Sequence, residues 1–263
     1  MRDPFKIDGP TCISFSGGRT SAYMLWRVLQ SNQGLPADTV VTFANTGKEA
    51  AATLDFVRDC ALHWRVPVVW LEFVSRAADG FREVDYASAS RDSLPFDRLI
   101  AQKQRLPNVV QRACTEELKV KTIDRYLASI GEADAEMMVG VRADEPHRIS
   151  RLRANGRTLP LVDAGVGKAE VHAFWRKAMF DLALPYEDGH GNCDLCFQKT
   201  LGQVMARIKE KPSRAVWWAR KEAEVGARFH KDRPGYQAMA DYVRDQRDLF
   251  DPNEEAIPCF CGD

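Results

Sequence analysis

Short apolar runs alternate with amphipathic stretches through the first half of the chain, and this alternation constrains the fold more than any other feature. Thr11 to Phe15, Thr39 to Phe43, Val66 to Phe73 and Glu136 to Val141 read as strands bounded by Gly, Pro or polar residues. Between them, Ala22 to Leu29, Ala51 to His63 and Glu116 to Ala128 carry helical patterns. Strands separated by helices return in parallel, and a parallel sheet needs both faces covered. The expected fold class is α/β, a doubly wound and mostly parallel sheet that holds ligands at the carboxyl ends of its strands.

The second half changes character. Lys168 to Lys177 reads as a helix with Val171, Phe174 and Trp175 on its apolar side, followed by Leu184-Pro185 and a loop from Asp188 to Asn192. Cys193-Asp194-Leu195-Cys196 then leads into a helix through Ile208, a helix opened by Pro212 that holds Trp217 and Trp218, and a last helix from Tyr236 to Leu249. The expected organisation is an α/β domain over 1–185 and a helical, cysteine-containing C-terminal region over 186–263 packed on it. The paired tryptophans read as core, with base stacking as the alternative.

With 37 basic and 37 acidic residues the net charge is zero, which argues against a general nucleic-acid coat or a membrane surface. Local excess of Lys and Arg at 142–157 and 199–233 reads as solvated faces or as flanks of a polyanionic substrate. No apolar run approaches a membrane span, and Met1-Arg2-Asp3-Pro4 begins nothing like a secretory signal. A cytoplasmic protein without a membrane partner is expected.

Polar segments follow the strands where ligands are expected. Ser16-Gly17-Gly18-Arg19-Thr20-Ser21 sits between the first strand and its helix. A glycine-rich turn there presents backbone N–H groups and a helix N-terminus to a phosphate, with Ser16, Thr20 and Ser21 adding hydroxyls and Arg19 a guanidinium. Nucleotide binding is the functional reading, and an ordinary strand-to-helix turn is the other. Asn45-Thr46-Gly47 follows the second strand as an adenosine-binding segment or a plain turn. Arg142 after the fourth is a phosphate-directed or a surface arginine.

The seven cysteines fall into classes. Cys12, within a strand, and Cys60, on a helix face, read as small buried hydrophobes. Cys193 and Cys196 form a C-x-x-C, a common half-site for zinc or an iron-sulfur cluster, and less fittingly a redox dithiol. Cys114, Cys259 and Cys261 are the candidates for the other half. A metal bond would account for two thiols so near the end of the sequence.

Taken in order, Ser16 to Ser21, Asn45 to Gly47, Arg112-Ala113-Cys114-Thr115 with Lys119, and Gly140-Val141-Arg142-Ala143-Asp144-Glu145 resemble the phosphoadenylyl-sulfate (PAPS) reductase family. That family lies within the adenine nucleotide α-hydrolase and ATP-pyrophosphatase (PP-loop) superfamily. Gly191 to Phe197 looks like a reductase-like subgroup common in bacteria and phages. The resemblance implies an adenine nucleotide α-hydrolase-like fold in which Ser16, Gly17, Gly18, Arg19, Thr20 and Ser21 hold phosphate or pyrophosphate, with Asn45, Thr46 and Gly47 near the adenosine. It also implies a 4Fe-4S cluster, or zinc instead, on Cys114, Cys193, Cys196 and Cys259. Members with a cluster begin their ligand set with Cys-Cys where this chain has Ala113-Cys114, so a terminal cysteine is expected to fill the gap. A three-cysteine cluster with an open iron site is the alternative.

Reductases resembling this chain end in Glu-Cys-Gly-Leu-His, whereas this sequence ends Pro258-Cys259-Phe260-Cys261-Gly262-Asp263. The first expected activity is sulfonucleotide reduction, an oxidoreductase reaction of sulfur metabolism. Cys261 attacks the sulfur of adenylyl sulfate, Arg19, Arg142 and Lys119 hold phosphate and sulfate, and a thiol donor such as thioredoxin releases sulfite. The second is ATP-dependent sulfur transfer or adenylylation of a nucleic-acid or other acceptor, releasing pyrophosphate. The third is a non-enzymatic nucleotide-binding zinc protein.

Overall fold

The computed structural model describes residues 2–186, 190–191 and 193–247. They fall into two compact units divided between Asp194 and Leu195. The first unit opens with β1 (Thr11–Ser14), α1 (Arg19–Asn32), β2 (Thr39–Asn45), α2 (Ala51–Trp64) and β3 (Val68–Phe73). A hairpin return adds β4 (Phe81–Val84), followed by α3 (Leu94–Lys103). Next come α4 (Ala113–Thr115), a π-helical turn (Glu116–Val120) and α5 (Lys121–Ser129), one directly after another. The unit continues with β5 (Glu136–Val139), α6 (Pro146–Ala154), α7 (Pro160–Asp163) and α8 (Lys168–Trp175).

The protein is α/β with an open, mostly parallel five-stranded sheet in the order β4-β3-β2-β1-β5. β1 pairs in parallel with β2 and β5, β2 with β3, and β4 runs antiparallel on β3. The chain winds outward from β1 to β3 and then returns to lay β5 on the far side of β1. That reversal places a crevice at the carboxyl ends of β1 and β5, where open α/β sheets bind ligands.

Neighbouring strand residues point to opposite faces, and each face has its own core. Ile13, Val41, Phe43, Trp70 and Met138 join Met24, Leu25 and Val28 of α1 and Leu54, Phe56 and Val57 of α2. Their sequence neighbours Cys12, Leu71 and Met137 meet Ile123, Tyr126 and Leu127 of α5. Burying a side chain such as Ile13 or Phe43 stabilises the fold by roughly 1.5–3 kcal/mol. The strands are apolar on both sides because both sides are core.

Two local features depart from the expectation. Strand β4 was not anticipated, since Phe81-Arg82-Glu83-Val84 is too short and too polar to stand out. Helix α1 starts at Arg19, before the apolar pattern begins at Ala22, which puts Arg19, Thr20 and Ser21 in its first turn.

The second unit contains α9 (Leu201–Glu210), α10 (Arg214–Val225) and α11 (Tyr236–Arg247). Thr200 and Gln203 form a reciprocal capping box at the start of α9. Trp218 stacks on Tyr236 at 5.1 Å and meets Phe229 edge-on at 4.8 Å, so the tryptophan pair is core. Among the described residues, no helix is long and apolar enough to cross a membrane.

Candidate functional site

Gly17 turns the chain out of β1 with φ 73°, and a Cβ there would lie 2.7 Å from the Thr53 side chain. Gly18 caps α1 and supplies no side-chain acceptor to the helix. Among the described residues, the amides of Gly17, Gly18, Arg19, Thr20 and Ser21 donate to no protein acceptor. Unclaimed N–H groups at the positive end of a 14-residue helix make a ready anion site. A Cβ on Gly18 would meet only Ser16 Oγ, at 3.8 Å, so the loop is open on that side.

Ser21 shapes this loop from within. Its hydroxyl accepts from the Ser16 amide at 3.2 Å, donates to the Gly18 carbonyl at 3.0 Å and lies 2.9 Å from Ser16 Oγ. The end of β5 closes in behind it, because a Cβ on Gly140 would come within 2.8 Å of Ser21 Cα. Arg142 then bridges the crevice, donating from Nη1 to Thr20 Oγ1 at 3.2 Å and from Nε to Asp144 at 2.8 Å. Glu145 accepts from the Arg142 amide and pairs with Arg148. Burial pushes the Glu145 carboxyl up, but these partners outweigh it and hold it below its usual range.

Arg19 is engaged within the fold. Its guanidinium does not stand ready for phosphate: it donates from Nε and Nη2 to Asp181 at 2.7 and 2.9 Å and from Nη2 to the Leu184 carbonyl at 2.7 Å. It also covers the Tyr186 ring at 3.8 Å. This long side chain reaches the carbonyls and the carboxylate of the half-buried turn at 181–185.

The end of β2 is engaged in the same way. Asn45 is fully buried and donates to Glu72 at 2.7 Å and to the Ser90 carbonyl at 2.9 Å, while its own oxygen accepts from the Gly47 amide. Glu72, also fully buried, takes Arg82 and both the amide and hydroxyl of Ser90. Asn45 thus satisfies a buried carboxylate instead of presenting its amide to an adenosine. Gly47, at φ 73°, lets the chain pass within 3.1 Å of the Ser93 backbone.

Beside it, Thr46 gathers a polar cluster. Its amide and hydroxyl donate to Glu49 at 2.9 and 2.8 Å, and its hydroxyl lies 3.6 Å from Cys193 Sγ. Lys119, on the π-helical turn, reaches Glu49 at 3.4 Å. Burial pulls the Lys119 ammonium down, but Glu49, Cys193 and Cys114 outweigh it and raise its pKa. Lys119 therefore stays protonated, beside two thiols. A π-turn inside a helix is a frequent mark of a functional site.

Among the described residues, no group of three His, Cys, Asp or Glu side chains could hold a metal ion. Cys196 belongs to the second unit, where its carbonyl accepts from the Lys199 amide. Cys259 and Cys261 lie outside the described residues. Burial pushes the Cys12 thiol up to about 11 and also raises Cys60, in keeping with inert core thiols.

The basic stretch at 199–233 is largely engaged within its own unit. Arg207 and Arg214 pair with Glu210, Arg220 and Lys221 with Glu224, and Arg233 donates to the Lys199 carbonyl. Sequence reasoning missed Glu49, Glu72 and Asp181, each of which has a partner in a distant segment: Lys119, Asn45 and Arg19 in turn. It also missed Glu117, a buried carboxylate with Lys103 at 3.1 Å and Arg125 at 3.2 Å.

No family model matches the chain. The chain is 28% identical over 207 residues to an Escherichia phage lambda protein described as "Uncharacterized nin region protein ORF290", covering 76% of this chain and 69% of that protein.

Proposed function

We propose that this chain is an enzyme of the PAPS reductase type that binds an adenine nucleotide by its phosphates in the β1/β5 crevice. The doubly wound, adenine nucleotide α-hydrolase-like plan belongs to this reading. The observation that carries it is the run of unclaimed amides from Gly17 to Ser21, set beside Arg142 at the reversal of strand order. Arg142 Nη2 has no acceptor among the described residues and is available to a phosphate oxygen.

The reaction assigned to the site is thiol-dependent reduction of a sulfonucleotide. The Cys261 thiolate attacks the sulfur of adenylyl sulfate, the sulfur–oxygen bond to phosphate breaks, and AMP leaves with the electron pair. A dithiol donor such as thioredoxin then displaces sulfite and is itself oxidised to a disulfide. Arg142 and the protonated Lys119 offset the negative charge of phosphate and sulfate.

Calorimetric titration with AMP, ATP and adenylyl sulfate tests binding, and anaerobic assays of sulfite and pyrophosphate test the reaction. Sulfite released from adenylyl sulfate with thioredoxin supports the assignment. Pyrophosphate released from ATP in the presence of a nucleic acid would replace it with sulfur transfer or adenylylation. A chain that binds none of the three nucleotides overturns the reading.

A further inference from the structure

One face of α8, continued by Arg176 at its C-cap, carries three basic side chains in register. Lys168, His172 and Arg176 follow one another at intervals of four, the spacing that stacks side chains along a helix. Both ends of this stripe are tied to the crevice. At its start, the Lys168 amide donates to Asp144 Oδ2 at 2.8 Å, the same carboxylate that takes Arg142. At its end, Trp175 Nε1 donates to the Arg19 carbonyl at 2.9 Å, in the first turn of α1.

His172 lies between those anchors. Its ring meets Tyr186 edge-on at 4.8 Å, and Tyr186 in turn lies under Arg19 and donates to Asp181 at 2.6 Å. Arg176 lies 5.3 Å from the same ring centre. Neither imidazole nitrogen has a hydrogen-bond partner among the described residues. Among the described residues, the groups around His172 include Lys168 on its own helix, Arg176 at that helix's C-cap, Arg19 of α1, Arg142 after β5, and Tyr186. Among the described residues, Asp181 is taken up by Arg19 and Asp144 by Arg142.

We propose that the Lys168, His172 and Arg176 face of α8 is the wall that receives the anionic tail of the bound nucleotide, the tetrahedral oxyanion beyond the α-phosphate. This rests on the phosphate site proposed above and adds where the tail lies. The tail is either the pyrophosphate portion of ATP or the sulfate of adenylyl sulfate, since both present the same oxyanion chemistry. Burial first, and then the four surrounding cations, hold the imidazole below its ordinary value. His172 is therefore neutral near pH 7 in the free protein. An anion placed against it reverses that balance and draws a proton onto the ring.

The experiment follows the His172 C2–H resonance of the full chain through a pH titration, alone and with AMP, pyrophosphate, ATP or adenylyl sulfate. Pyrophosphate and ATP, or adenylyl sulfate, should raise the His172 pKa by about one unit or more, and AMP by much less. The active arm identifies the tail. Calorimetry on His172→Gln and Arg176→Gln should show about tenfold weaker binding of the long nucleotide with AMP affinity kept. His172→Gln should also lose part of the affinity gain between pH 8 and pH 6, a comparison in which the ligand's own protonation cancels. An unmoved resonance and wild-type affinities in both variants, with AMP and ATP still bound, would overturn the wall and leave the phosphate site standing. Absence of all nucleotide and pyrophosphate binding would overturn both.

Discussion

Two adjacent strand ends carry a polar segment closed by glycine, and they use it in opposite ways. After β1, the amides of Gly17 and Gly18 stay unclaimed among the described residues, and internal bonding is confined to Ser16 and Ser21. After β2, Asn45-Thr46-Gly47 turns its side chains inward, Asn45 onto Glu72 and Thr46 onto Glu49. The difference lies in what each loop faces. The first opens at the reversal of strand order, between β1 and β5. The second abuts β3, whose Glu72 is fully buried and is satisfied by protein donors.

The contrast predicts a graded series of effects. Removing the carboxylate with Glu72→Ala should cost about 3–5 kcal/mol in urea denaturation, because Arg82 and Asn45 lose their common acceptor. Gly17→Ala should cost about 2–4 kcal/mol, combining positive-φ strain with the clash on Thr53. Asn45→Ala should cost about 1–3 kcal/mol in stability while leaving nucleotide affinity within about threefold. A larger loss of affinity there would break the contrast.

Gly18→Ala is the reverse case. Stability should change by no more than about 0.5 kcal/mol, since its added methyl meets open space. Nucleotide affinity should nonetheless fall about tenfold, close to 1.4 kcal/mol by calorimetry, because that methyl occupies the approach to the amides. Unchanged affinity would remove the functional distinction between the two loops.

The smallest effect concerns pH. The folded protein holds the Glu145 carboxyl below its ordinary value of 4.5. Its stabilising contribution is complete above that value and is lost as pH falls through the lower, folded one. Hydrogen exchange should therefore show the segment after β5 loosening below about pH 4.5, and Glu145→Gln should flatten that dependence.

Much of the fold was legible because its signals are local. Apolar runs such as Val66 to Phe73 and helical patterns such as Ala51 to His63 need no distant partner to be recognised. The turn at the candidate site was legible in its backbone, where Gly17 and Gly18 mark it, whereas the partners of its side chains were not. Arg19 has the same appearance in the sequence whether it awaits a phosphate or answers Asp181, 162 positions later. Lys119, Glu49 and Cys193 form one cluster only after three separate segments meet at the end of β2.

Alternation of strand and helix, and the glycines that end β1, were properties of the chain read alone, because periodicity and backbone freedom act over a few residues. Which polar groups remain open to a ligand was decided by tertiary structure. A donor stays unclaimed only if no acceptor is folded against it, and that depends on strand order and on residues far away in the sequence.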